Sequence, residues 1–296
     1  MYNFDCKIIK GKWYNNKYEV IKPLGKGAIG NIYLAFNKIR GFVAIKISKS
    51  MLSITREYDN IKKYKNKNFV PIVYELDDWD YKGETYYFIV MEYIKGYDLA
   101  KVLKSPMSLE LKVKIFMIIL GILEDINKEG LIYADMKWQN VMVDYDNESI
   151  RFIDFGSLIP VGEVVKEYTP LYDRCSWGMG TRVADLGYQV FGAAVLLTTM
   201  LIRPINKVDK KHIPEVFKSL KKNGISEEIL ELLNKAFYGE IKDCGIFLRE
   251  LKKVHLNLEN SKSSLNILLD IIIGVLLIAL IIVAAKVKAF IVPSLF

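Results

Sequence analysis

The sequence predicts an α+β fold in which strands come first and helices follow, with one apolar segment near the C-terminus long enough to cross a bilayer. Three observations carry this. Residues 18–94 hold short β-rich runs separated by turn residues. From residue 108 the apolar residues shift to helical spacing. Residues 265–285 form an apolar run in which only Asn266 and Asp270 are strongly polar, and about 20 helical residues cross the hydrocarbon core of a membrane.

The chain has 296 residues, 51% of them hydrophobic, which is enough for one large domain or two small ones. Its three cysteines, Cys6, Cys175 and Cys244, are far apart and odd in number. They fit neither a disulfide framework nor a zinc spacing, which favours a reducing compartment. The start, MYNFDCKIIKGKW, lacks the long apolar core of a signal peptide. The net charge of +8 is unevenly spread. Residues 1–70 carry 15 basic against 4 acidic side chains, a balance of +11, and residues 71–160 carry 9 against 16, a balance of −7. The basic segment suits anionic lipid, nucleic acid or an acidic partner, or is simply a solvated lysine-rich surface. No Arg-rich or aromatic-interleaved nucleic-acid motif accompanies it.

Tyr18-Glu19-Val20-Ile21 alternates as a strand does. Gly25-Lys26-Gly27-Ala28-Ile29-Gly30 follows, and then the β-rich Asn31–Phe36. A dinucleotide fingerprint needs a helix directly after its glycines, and a Walker A loop needs Gly-Lys-Ser/Thr. Neither is present. What remains is a strand–glycine turn–strand, either an ordinary hairpin or a lid whose backbone N–H groups approach phosphate oxygens with no Cβ in the way. Val43-Ala44-Ile45-Lys46 is a strand carrying a lysine. If buried, that lysine needs a polar partner. Glu57 is the candidate, on a segment with helical spacing at Ile54, Tyr58 and Ile61. Two further strand-like runs lie around Val70–Leu76 and Tyr86–Met91. Residues 108–129 start with Ser108 as a helix cap and read as a buried central helix.

Residues 131–156 are the chemical centre. Asp135-x-Lys137-x-x-Asn140 precedes the apolar Val141–Val143, and a second apolar run, Ile150–Ile153, ends in Asp154-Phe155-Gly156. Two short strands joined by a turn bring Asp135, Asn140 and Asp154 to one end of a hairpin. A carboxylate base, an amide and a second carboxylate are the groups that hold Mg²⁺ and a triphosphate while a hydroxyl attacks. Asn140 and Asp154 offer oxygen donors suited to a hard cation, with no His or Cys among them.

This stretch, the glycine turn and Val-Ala-Ile-Lys resemble, in order and spacing, the motifs of eukaryotic-like (Hanks-type) bacterial Ser/Thr protein kinases. The resemblance covers about residues 13–255 and implies a bilobal protein-kinase-like fold. A small β-rich lobe would span 13–91, a hinge 92–96 and a helical lobe 97–255. It implies Asp135, Lys137, Lys46 and Glu57 as the catalytic set, with Asn140 and Asp154 on Mg²⁺. It implies an ATP site of Leu24, Gly25, Lys26, Gly27, Gly30, Ile32 and Lys46, with Met91, Glu92 and Ile94 around the adenine. Asp98 falls where a carboxylate binds ribose, or is a helix N-terminal acid. Asp185 falls near the acid that braces the catalytic loop, or again begins a helix over Val190–Leu201. Residues 157–182 fit an activation segment, and Thr169-Pro170-Leu171-Tyr172 resembles the T-x-x-Y that precedes A-P-E. Three short amphipathic helices are expected in 212–255.

The departures are specific. Tyr133-Ala134 replaces His-Arg before Asp135, and Asp173-Arg174-Cys175-Ser176 stands where A-P-E belongs. The missing Arg normally pairs with an activation-loop phosphate, so a switch through Thr169, Ser157 or Ser176 is not expected. Residues 256–264 read as a linker, 265–285 as a single transmembrane helix and 286–296 as a short tail, too small for a sensor. The flanking lysines (Lys252, Lys253, Lys262 before; Lys286, Lys288 after) do not orient the helix. An ATP-using domain must face the cytoplasm, which places the chain in the cell membrane. The layout resembles small tail-anchored kinases of endospore-forming bacteria. Its implied partners are protein substrates, including the kinase itself, the bilayer, a nucleic-acid or anionic-lipid activator and a second copy in a homodimer. The alternatives are an inactive pseudokinase scaffold and a small-molecule kinase.

Overall fold

The structure is a computed structural model, and it describes residues 8–27, 30–202, 205 and 207–256. The expected linker, membrane helix and tail lie outside the described residues apart from residue 256. Among the described residues no helix is long and apolar enough to cross a membrane.

Six strands form the first layer: β1 (Ile8–Lys10), β2 (Lys17–Lys26), β3 (Asn31–Asn37), β4 (Gly41–Ser48), β5 (Val73–Tyr81) and β6 (Glu84–Glu92). They pair antiparallel in the order β1-β2-β3-β4-β6-β5. One face is apolar, with Tyr18, Tyr33, Ala35, Val43, Ile45, Ile47, Phe88 and Val90 in its core. Helix α1 (Met51–Lys63) crosses between β4 and β5. Ser50 caps it, its hydroxyl accepting from Ser53 N at 3.3 Å.

The expected strand at 70–76 lies further along, at Val73–Tyr81. Val-Tyr-Glu-Leu-Asp-Asp-Trp-Asp-Tyr turns acidic halfway, so its second half reads as a loop. Here, however, Glu75, Asp77 and Trp79 are buried on one side. Asp77 Oδ1 accepts from Trp13 N and Oδ2 from Tyr14 N, each at 3.0 Å, and Glu75 accepts from Asn16 at 2.6 Å. The buried acids hold the 11–16 turn, as buried polar groups with satisfied bonds can.

The helical lobe follows. It contains β7 (Gly96–Asp98), α2 (Leu99–Val102), α3 (Leu109–Lys128), β8 (Leu131–Tyr133), β9 (Val141–Asp144), β10 (Ser149–Phe152) and β11 (Leu158–Pro160). It continues with α4 (Leu186–Leu201), α5 (Ile213–Lys222) and α6 (Glu227–Phe237), and a further helical stretch begins at 244. Two small sheets, β10-β9-β7 and β11-β8, shape the cleft side. Ser108 caps α3 as expected, accepting from Leu111 N at 3.2 Å. The most enclosed helix is α4 rather than α3. Every residue of α4 from Tyr188 to Leu201 is buried, and an all-round apolar helix belongs inside. α3 keeps Glu110, Lys114 and Lys128 at the surface in ion pairs.

Strand β10 ties the helical lobe to the hinge. Arg151, buried, donates to Glu92 Oε2 at 2.6 Å, to Asp144 Oδ2 at 2.9 Å and to the Val70 carbonyl at 2.6 Å. Glu92 Oε2 also accepts from Ile72 N at 3.0 Å.

Candidate active site

The site is assembled by three elements meeting at Lys46. Register places Ile32 between Gly25 on one side and Lys46 on the other, and Ala44 beside Met91. In the glycine turn, Gly27 N donates to the Gly30 carbonyl at 2.8 Å. A methyl at Gly27 would touch Lys46 Cε at 3.6 Å, so the turn lies over that lysine. A methyl at Gly30 would meet the Ile47 carbonyl oxygen at 2.4 Å, so only glycine fits there. Ala28 and Ile29 are outside the described residues.

Lys46 is 1% exposed. Its Nζ lies 2.5 Å from Glu57 Oε2 on α1 and 3.2 Å from Asp154 Oδ1. The sequence-derived pair is therefore present, with Asp154 as a third member. Burial alone would favour the neutral amine, but Glu57 and Asp154 outweigh it and hold the ammonium above the ordinary lysine range. Burial likewise works against an ionised Asp154, yet Lys46 and Lys137 keep it below its usual value. Glu57 is fully enclosed, and burial pushes it up to about 7 although Lys46 pulls it down.

The sign follows from that rise. Glu57 takes up its proton in the folded state first, so its contribution to stability is complete below 4.5 and is lost as pH rises to about 7. Its hold on Lys46 runs the other way. The expected result is that kcat/KM for ATP falls as pH drops through about 7. In Glu57→Gln that inflection disappears, and pH profiles of the two proteins check it.

The catalytic loop runs from β8 through a 3₁₀ turn (Trp138–Asn140) to β9. Asp135, nearly buried, pairs with Lys137 through Oδ2. Its Oδ1 accepts from the Thr169 hydroxyl at 2.7 Å. Asn140 Nδ2 donates to the Asp135 carbonyl at 2.9 Å, and Ile153 N donates to the Asn140 carbonyl at 3.1 Å. These bonds set Asn140 next to the strand end that carries Asp154. Gly156 N donates to Asp154 Oδ1 at 3.3 Å. Among the described residues no hydrogen bond engages Asn140 Oδ1 or Asp154 Oδ2. Two hard oxygens held by their own residues' other bonds fit Mg²⁺, which takes one or two protein ligands and fills the rest with phosphate and water.

Tyr133, in place of the family's histidine, is buried against Phe152 and Phe155, with ring centroids at 4.9 and 6.2 Å. Burial, with the charges of Asp154, Asp135 and Glu57, pushes its hydroxyl well up. It stays neutral where a histidine would titrate.

At two positions the structure bears out the helix-acid alternative. Asp185 does not brace the catalytic loop. It caps α4, its Oδ1 accepting from Tyr188 N at 2.6 Å, and it pairs with Arg174. The brace is Gln189, whose Oε1 accepts from Tyr133 N at 2.7 Å. One helical turn into α4 places Gln189, and not Asp185, beneath the loop. Asp98 caps α2, accepting from Lys101 N at 2.7 Å, which is the helix-acid reading.

The place of A-P-E is taken by a different anchor. Asp173, fully buried, accepts from Arg182 at 2.8 Å, Ser176 Oγ at 2.5 Å and Tyr188 at 3.0 Å. Those hydrogen bonds overcome burial and keep it ionised. Trp177, with 0% exposure, packs on Phe191 and Phe237 and donates to the Leu171 carbonyl at 2.7 Å. Trp177→Ala is expected to cost about 3–5 kcal/mol, read as a lower denaturant midpoint with an unchanged slope.

The arrangement defines a phosphoryl-transfer site of the protein kinase kind, and the chain belongs to that family: residues 18–237 match the protein kinase domain. It is a protein serine/threonine kinase. The serine/threonine-protein kinase YabT of Bacillus subtilis is 33% identical over 250 residues, covering 83% of this chain and 72% of YabT. A probable serine/threonine-protein kinase of Clostridium perfringens is 31% identical over 159 residues, 49% of this chain and 22% of that one. Among solved structures, the kinase PK-1 of Cydia pomonella granulovirus overlays with a TM-score of 0.63 at 15% identity, covering 79% of this chain and 93% of that one. At that identity the overlay speaks to the fold alone.

Proposed function

We propose that the chain is a membrane-anchored kinase that transfers the ATP γ-phosphoryl group to Ser and Thr of proteins, itself included. The observation that carries the reading is the contact of Thr169, Asp135 and Lys137, which holds a carboxylate and an ammonium together at the mouth of the activation segment.

Asp135 orients the incoming hydroxyl and accepts its proton. Lys137 neutralises charge on the phosphoryl group in transit. Lys46, locked by Glu57, holds the α- and β-phosphates, and the backbone at Gly25, Gly27 and Gly30 covers them. Met91 lines the adenine pocket. The Glu92 amide donates to the Ile72 carbonyl at 2.8 Å, and the adenine edge would meet the backbone at Glu92 and Ile94. Asn140 and Asp154 would hold Mg²⁺, which would supply charge neutralisation at the phosphates. The protein's work is positioning and electrostatics. The anchor is the apolar run 265–285, and ATP use places the kinase domain on the cytoplasmic side.

The test is the full chain in detergent or nanodiscs with Mg²⁺, labelled ATP and a generic protein acceptor, beside Asp154→Asn. Label on Ser or Thr of acceptor and kinase, lost in Asp154→Asn, supports the reading. Label confined to a small molecule overturns it. Carbonate-resistant membrane association and protease protection of the tail report the anchor separately.

A further inference from the structure

Two turns of the strand lobe hold apolar side chains out into water. The first is residues 11–16. Asp77, buried, fixes its backbone by accepting from Trp13 N and Tyr14 N, yet Trp13 and Tyr14 themselves are 74% and 62% exposed. The second is the β3–β4 hairpin. Asn37, buried, accepts through Oδ1 from Ile39 N and Arg40 N, each at 3.0 Å, and Gly41 takes a left-handed φ of 72°. Ile39 at the tip is 86% exposed, and at the base Phe36 and Phe42 are exposed too, edge to face with centroids 5.6 Å apart. The turns are stitched together. Asn37 Nδ2 donates to the Lys17 carbonyl at 3.0 Å. Arg40 lies over the Tyr74 ring, 4.4 Å from its centre, and Asn16 donates to the adjoining Glu75.

Turn tips are ordinarily polar. Here two buried polar side chains fix the backbone so that apolar groups face water, which marks a contact surface. Its charge is positive at the point where the turns meet. Lys17 and Lys38 are exposed and form no ion pair among the described residues. The acids beside the turns are Asp80, paired with Lys12 at 2.8 Å, Asp78, which accepts from the Trp13 indole, and Glu19, opposite Phe36. We infer that this surface docks on an anionic bilayer, with Trp13, Tyr14 and Ile39 entering the headgroup layer and Lys17 and Lys38 meeting lipid phosphates. The inference deepens the membrane reading above and rests on it for a bilayer close at hand. Trp and Tyr favour the membrane interface, an aliphatic tip suits the acyl boundary, and lysines gain from anionic lipid. Single-stranded nucleic acid would call for flat ring faces open to stacking, whereas the Phe36 and Phe42 rings meet edge to face and the most exposed apolar residue, Ile39, is aliphatic.

The test is the full chain reconstituted in liposomes of brominated phosphatidylcholine, alone or with about a third brominated phosphatidylglycerol. Bromine quenches a tryptophan that reaches the bilayer, and the Trp13 share is the quenching lost in Trp13→Phe. That share is expected in anionic liposomes and not in zwitterionic ones. Ile39→Ser should lower the docked-to-free ratio about tenfold. Lys17→Gln/Lys38→Gln should lower it about fivefold for each charge removed. Lys218→Gln/Lys222→Gln, the same charge change on exposed lysines of α5, leaves it unchanged. All these variants keep wild-type kinase activity in detergent, which reports the fold. Absence of the Trp13 share, an equal share in both lipids, or wild-type docking in both Ile39→Ser and the lysine pair overturns the docking. So does a Trp13 response to duplex DNA in place of lipid. Carbonate extraction is read on the same liposomes. A chain that carbonate releases overturns the anchor reading, while the Trp13 share still decides the docking.

Discussion

Asp135→Asn is expected to remove phosphoryl transfer while leaving the fold and ATP binding in place. The amide has the size of the carboxylate and keeps an acceptor for the Thr169 hydroxyl, now at 2.7 Å from Oδ1. On the other side it turns an N–H toward the Lys137 ammonium, where the carboxylate had paired with it. The proton acceptor is gone and Lys137 loses its orienting charge. General-base groups of this kind contribute about 10²–10⁴-fold, and kcat should fall by that order with KM for ATP nearly unchanged. A melting curve like that of the wild type shows that the loss is chemical. A kcat within threefold of wild type would remove Asp135 from the mechanism.

Lys46→Met should do more than weaken nucleotide binding. Without the ammonium, Glu57 and Asp154 face each other with no cation between them, and Glu57 has no access to water. Removing one partner of a buried charge pair typically costs about 3–5 kcal/mol. The loss should itself depend on pH. Glu57 already holds its proton up to about 7, and losing Lys46 raises it further, so acid neutralises the stranded carboxylate. The gap in melting temperature between wild type and Lys46→Met is expected to be small at pH 5.5 and to widen toward pH 8.5. A gap that is constant across that range would mean that Glu57 does not titrate with the fold.

The parts of this site legible in the sequence are those whose chemistry demands a residue type at a fixed spacing. Asp135, Lys137, Asn140 and Asp154 sit on one short hairpin, so local order alone brings them together. Lys46 and Glu57 required only that a buried lysine find an acid. What stayed hidden depends on tertiary approach. Gln189 lies 56 residues from the amide it accepts, and nothing in a glutamine marks it as a brace, whereas Asp185 carried the charge that the family pattern leads one to expect. Strand β5 was obscured because Asp77 is buried and satisfied by backbone from residues 13 and 14, a partner no periodicity reveals. The anchor made by Asp173, Arg182 and Trp177 replaces a motif by a different set of side chains, so a search for the motif finds only its absence.

The cross-tie at Arg151 has a mechanical consequence. Its guanidinium binds the hinge acid, the strand turn at Asp144 and the chain entering β5 all at once. A jaw-like opening of the lobes would pull the buried cation from Glu92 and the Val70 carbonyl, while Asp144, on the neighbouring strand of the same lobe, stays with it. The pivot is therefore clamped at the hinge, and the spacing between the lobes there is set by one guanidinium.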